Sequence, residues 1–185
     1  MRATPSAHTS TSARRGYTLI ELLIVITILG ILGTMVIPSF GSTNVLRTQA
    51  AVRTIVADIT FAQSDALSYQ QSRAVMFDED ENMYTLVEVN GATLDADADA
   101  LYDPQGPGQR YRVDFDEMDF GGAFIQNVSF NGGGDLIFDE IGGPVPAAGS
   151  GTLSTGGSLE VVGPQATYRI NVAPFTGRVT VDQID

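Results

Sequence analysis

Between Tyr17 and Phe40 the chain runs through 24 residues of which Glu21 alone is charged. At about 1.5 Å per residue, about twenty of these in a helix cross a hydrocarbon core of about 30 Å. A membrane-length apolar run leaves few choices for the first part of any fold. An ionisable group placed in hydrocarbon costs about 2.5–3.5 kcal/mol on insertion scales, so Glu21 points to a function and to a partner group. Arg2, Arg14 and Arg15 precede the run and no acid does, which keeps the N-terminus on the cytoplasmic side. Other readings of these residues fit less well. The run is longer than the about 7–15 apolar residues of a secretory signal, and no Ala-x-Ala site follows it. Arg14-Arg15 suggests a twin-arginine signal, which would carry Glu21 inside its apolar region. A plain anchor leaves Glu21 without a role.

Gly16-Tyr17-Thr18-Leu19-Ile20-Glu21 resembles the processing and assembly signature of type IV prepilins and of the pseudopilins of type II secretion. Gly30 and Pro38 resemble that family's mid-segment glycine and late proline. The usual first aromatic is Phe, so Tyr17 is a departure that keeps the ring. The resemblance implies that a dedicated prepilin peptidase cuts between Gly16 and Tyr17. It also implies that the new amine on Tyr17 is methylated and that Glu21, then the fifth residue, recruits the subunit into a filament. The implied partners are other pilins or pseudopilins, the peptidase and an inner-membrane assembly platform. An α-amino group has an unperturbed pKa of about 7.7–8.0, and methylation leaves it cationic. A carboxylate four residues into a neighbouring helix offers that cation a partner where dielectric screening is weak, and fixes axial register.

Three segments follow from this reading: a leader over 1–16, a transmembrane and filament-core helix over 17–40, and a periplasmic domain over 41–185. The leader is rich in Ser, Thr and Ala and is expected to lack structure until removed. Beyond the anchor, Val52, Ile55, Val56, Ile59, Ala62, Ala66 and Tyr69 recur at spacings of three and four. They place one apolar stripe on a helix, with Arg47, Arg53, Asp58, Gln63 and Asp65 largely elsewhere. Thr18–Gln71 therefore reads as one helix of about 80 Å, kinked at Pro38 where the hydrogen-bond ladder is interrupted. From Arg73 the pattern changes to short strands over 73–77, 83–89, 111–115, 124–130, 135–138, 158–162, 167–173 and 178–181, separated by turn clusters such as Gly132-Gly133-Gly134. A long helix followed only by strands predicts an α+β fold, the amphipathic half of the helix packed on an antiparallel sheet.

Short motifs in this second part resemble the H-type minor pseudopilins and FimT/FimU-like minor pilins. They are Ala62-Gln63-Ser64-Asp65-Ala66, Asn82-Met83-Tyr84-Thr85-Leu86, Ile137–Pro144 and Thr176-Gly177-Arg178-Val179, in that order. The resemblance implies a minor subunit of a type II secretion pseudopilus or, alternatively, of a type IV pilus. A membrane-anchored periplasmic binding module is the remote alternative. Asp95–Gln109 reads as an insertion whose conformation the sequence leaves open.

Composition narrows the chemistry. Cysteine is absent, which excludes disulfides and thiolate metal sites. Past Gly16, 22 acids face seven arginines and no lysine, a side-chain net charge of −15 that repels nucleic acid. The single histidine, His8, lies in the leader, so histidine acid–base or metal chemistry is not expected in the processed chain. Asp95, Asp97 and Asp99 alternate like the first half of a calcium loop. Ala100 stands at the glycine position and Gly106 at the final acid, so a solvated loop is the better reading. No cofactor or metal is expected, and no enzyme activity; Arg178 is expected to make a structural hydrogen bond or to close a turn.

Overall fold

The computed structural model describes residues 16–36 and 39–184. Two units are distinguished, one holding the first helix and the other everything from Phe40 onward. The first helix, α1, spans Leu19–Val36, and the second, α2, spans Ser39–Tyr69. Pro38, the expected kink, lies outside the described residues, as does the leader up to residue 15. With 18 residues, α1 is about 27 Å long at about 1.5 Å per residue. Among the described residues no helix is long and apolar enough to cross a membrane.

Helix α2 carries the core of the second unit on the expected stripe. Ala51, Val52, Ile55, Ile59, Ala62 and Ala66 are buried, and Val56 packs at the margin. The stripe ends one turn earlier than the periodicity suggests. Tyr69 is 67% exposed, with the Arg73 guanidinium 5.8 Å from its ring centroid. The cause is local: Gln70 adopts a left-handed φ of 53°, and the Gln71 N–H donates to the Ala66 carbonyl at 3.2 Å. That is a Schellman stop, with glutamine where glycine is usual. Asp65 then pairs with Arg73 at 2.6 Å and fixes the exit into the first strand.

Among the described residues nine strands follow: β1 (Arg73–Asp78), β2 (Met83–Glu88), β3 (Arg112–Asp114), β4 (Phe124–Phe130), β5 (Asp135–Phe138), β6 (Pro144–Val145), β7 (Gly157–Val162), β8 (Thr167–Val172) and β9 (Val179–Gln183). Their pairing is antiparallel throughout, and the fold is α+β with α2 packed against sheet. Instead of one sheet there are two, a five-stranded sheet ordered β3-β2-β1-β5-β6 and a four-stranded sheet ordered β4-β7-β8-β9. The division falls in the β4–β5 turn. Asn131 and Gly132 both have positive φ, and Phe130 and Gly133 exchange backbone hydrogen bonds, the geometry of a tight two-residue reversal. A bulge between Gln126 and Ser129, with Asn127 at φ 53°, interrupts the pairing of β4 with β7.

Side chains from both sheets close on α2. Val75, Tyr84, Leu86, Leu136 and Phe138 come from the first sheet, and Ile125, Leu159, Val161, Ile170 and Val172 from the second. The other face of the first sheet is also covered, since Ala74, Val87, Ile137 and Val145 pack with Leu94. The 95–109 stretch is thus part of the fold. Leu101 N–H donates to the Leu86 carbonyl and Glu88 N–H to the Asp99 carbonyl, which fastens the stretch along β2.

Candidate functional site

Gly16, Tyr17 and Thr18 precede α1 without regular structure, and Gly16 and Tyr17 are exposed. Thr18 caps the helix: its Oγ1 accepts the Glu21 N–H at 3.2 Å, and its carbonyl accepts from Glu21 and Leu22. Thr-Leu-Ile-Glu is the sequence of a capping box, and the acid sits in the first turn, where the helix dipole favours negative charge. The cap therefore fixes where the helix begins and leaves the preceding Gly16–Tyr17 bond outside it and exposed. Among the described residues nothing forms an ion pair with Glu21.

The rest of α1 is apolar on every side. From Tyr17 to Leu32 its large apolar side chains are 47–87% exposed, without a polar stripe to face water. Such a helix must be covered by lipid or by other helices. Thr27, the one hydroxyl in the middle of the run, turns its Oγ1 back to the Leu23 carbonyl at 2.7 Å. That satisfies the hydroxyl within the helix.

In the second unit the motif residues turn out to be ties between elements. Gln63 Nε2 donates to the Gly142 carbonyl at 2.8 Å and to the Thr176 carbonyl at 2.9 Å. One side chain thus staples α2 to the β5–β6 turn and to the β8–β9 turn. Gly177, with φ 63°, is required beneath it, because a Cβ there would lie 2.6 Å from Gln63 Nε2. Asn82 joins the two sheets: its Oδ1 accepts the Ile125 N–H, and its Nδ2 donates to Asp116 and to the Ala123 carbonyl. Arg178 contributes its backbone to the turn, its carbonyl accepting the Ala173 N–H at 2.9 Å while its side chain is exposed.

Asp58 corrects the helical reading, which put it away from the stripe. It is 7% exposed and accepts hydrogen bonds from Tyr84 Oη at 2.5 Å and Tyr111 Oη at 2.8 Å. Burial raises its pKa above the ordinary 3.8, and the two phenolic donors only partly oppose that. Both tyrosines are in turn held neutral, their pKa values raised first by burial and then by the adjacent carboxylate. The signal was present in the spacing, since Asp58 follows Ile55 by three residues and precedes Ala62 by four.

The alternating acids of the insertion are turned onto the protein itself. Asp95 Oδ1 accepts the N–H groups of Asp97 and Ala98, and Asp97 pairs with Arg110 at 3.1 Å and Arg112 at 2.9 Å. Asp99 takes the Asp95 N–H and the Asn90 amide. These bonds make Asp95–Asp99 a self-capped turn clamped by two arginines.

Comparison with known proteins agrees with the N-terminal geometry. The prokaryotic N-terminal methylation motif matches residues 11–37. A fimbrial protein of Dichelobacter nodosus is 33% identical over 104 residues, covering 51% of this chain and 64% of that relative. The match thus spans a little under two thirds of the relative's length. The minor pseudopilin EpsH from the Type 2 Secretion System of Vibrio cholerae has 12% identity and a TM-score of 0.49, with 74% of this chain and 96% of that one covered. The methylation motif begins before the exposed glycine and runs through the capped acid and the apolar helix, so the N-terminal part of the chain is similar to proteins that carry the prokaryotic N-terminal methylation motif.

Proposed function

We propose that this chain is a minor pseudopilin of a type II secretion pseudopilus, working by insertion, extraction and stacking and catalysing no reaction itself. A prepilin peptidase removes residues 1–16 at the Gly16–Tyr17 bond and methylates Tyr17. The apolar helix holds the subunit in the inner membrane, N-terminus inward and the α+β unit in the periplasm, until an assembly platform adds it to the filament. Glu21 then pairs with the Tyr17 amine of a neighbouring subunit. The observation that carries this reading is α1 itself, apolar on every side with a single acid held at its capped start. Such an acid has no favourable partner in lipid and a well-defined one in a stack of processed copies.

The type II assignment draws support from the order of the motifs at Ala62–Ala66, Asn82–Leu86, Ile137–Pro144 and Thr176–Val179. A type IV pilus minor subunit is the second reading, favoured by the fimbrial relative. Deleting the gene separates them. Loss of extracellular enzymes with surface pili intact supports the pseudopilus, and loss of pili with secretion intact supports the pilus. The acidic surface weighs against binding DNA in either machine.

A further inference from the structure

The four-stranded sheet has one protected edge and one open edge. On β4 the bulged N–H groups of Asn127 and Val128 are both taken by the Glu79 carboxylate, at 3.2 and 2.9 Å. In the other sheet the edge strands β3 and β6 are only three and two residues long. These are ordinary ways of blunting an edge. The five-residue β9 has neither device. Its register with β8 pairs Thr180 with Asn171 and Asp182 with Arg169, and the flanking backbone bonds Ala173 N–H to Arg178 and Ile184 N–H to Thr167 set the phase. In an antiparallel ladder that phase turns the N–H and C=O groups of Val179 and Val181 outward. Among the described residues nothing accepts from or donates to them.

Beside this edge lies a groove of about 810 Å³ between β9 and α2. Its apolar lining includes Val52, Val56, Phe61 and Val181, the last two 43% and 42% exposed. The sheet stops one strand short of covering this flank of α2. On the groove wall stands Arg53. Among the described residues Arg47, Arg73, Arg110, Arg112 and Arg169 hold ion pairs, while Arg53 and Arg178 have none, and of these two only Arg53 lines the groove.

We propose that β9 and this groove receive an extended segment of another protein chain, added as a fifth strand. Its groove-facing side chains alternate apolar groups with one carboxylate that meets Arg53. Backbone pairing to Val179 and Val181 supplies the generic attraction, and the alternate side chains supply selectivity. The lone cation selects an acidic segment over a basic one.

The test uses the full chain in detergent micelles and a fluorescein-labelled peptide, Val-Thr-Asp-Thr-Val-Thr-Val, whose odd-numbered side chains share one face. Saturable binding by fluorescence polarisation is expected, with amide-exchange protection appearing at Val179 and Val181. Arg53→Glu, at an exposed helix position that leaves folding intact, should weaken binding about tenfold. Lys in place of Asp in the peptide should restore it. Val181→Pro, which deletes an outward N–H, should abolish binding. Absence of saturable binding, or binding indifferent to both substitutions, would overturn the proposal. So would sedimentation showing that β9 is closed by a second copy of the chain.

Discussion

At the scale of single residues, two acids have opposite surroundings and opposite uses. Glu21 is exposed in the first turn of α1 and has no ion-pair partner among the described residues; Asp58 is buried and accepts two hydrogen bonds. Glu21→Ala is therefore expected to leave membrane insertion unchanged and to exclude the subunit from filaments, measured by membrane fractionation and by co-purification with sheared filaments. Incorporation at the normal level would refute the pairing role.

For Asp58 the sign follows from burial. Its folded-state pKa lies above 3.8, so its contribution to stability is greatest below that pH and falls as pH rises through the folded value. Asp58→Asn should remove this slope, so that in urea unfolding the variant gains on the parent between about pH 4 and pH 7. Asp58→Leu should instead lose about 2–3 kcal/mol, because the buried hydroxyl of Tyr84 and the partly buried one of Tyr111 lose their acceptor. A leucine variant as stable as the parent would show that the two hydroxyls find other partners.

At the scale of elements, the strands were legible and their grouping was not. Alternation and turn clusters place β4 and β5 at their observed bounds, because a strand's limits are set by local chemistry. The division into two sheets falls at a reversal at Asn131-Gly132, which redirects the chain without interrupting the apolar pattern. Strand β6, two residues beginning with proline, is too short to give a period. The stripe on α2 was read correctly from Val52 to Ala66. It failed at Tyr69, where a glutamine took the left-handed stop position that glycine would have announced.

By its spacing Gln63 is a polar residue off the stripe. Its two carbonyl acceptors are 79 and 113 residues away, a separation no local pattern reports. Gln63→Ala should cost about 1–2 kcal/mol by loosening both turns. Gly177→Ala should cost about 1–3 kcal/mol, because it adds a Cβ at positive φ against that same amide. Both are read from denaturant midpoints. In the double variant the two losses should fall short of their sum, since the truncated Gln63 side chain no longer crowds the new methyl.

For the whole molecule, the N-terminal helix and the α+β unit divide the work. The apolar helix and its acid are readable from the sequence, since length, charge and a glycine–aromatic–acid spacing are all local, whereas the Thr18 cap comes from the structure. The α+β unit is held together by ties such as Asn82 to Ile125, which pair residues distant in sequence and are not legible locally. On the proposed function, its acidic surface and open β9 edge are what would set this subunit apart from neighbours in the filament. The central claim, that this is a processed filament subunit, meets its most direct test in the mass of the mature N-terminus. Protein isolated from membranes should begin at Tyr17 and carry one added methyl group. A chain that retains Met1–Gly16, or that begins near residues 38–45, would contradict the account.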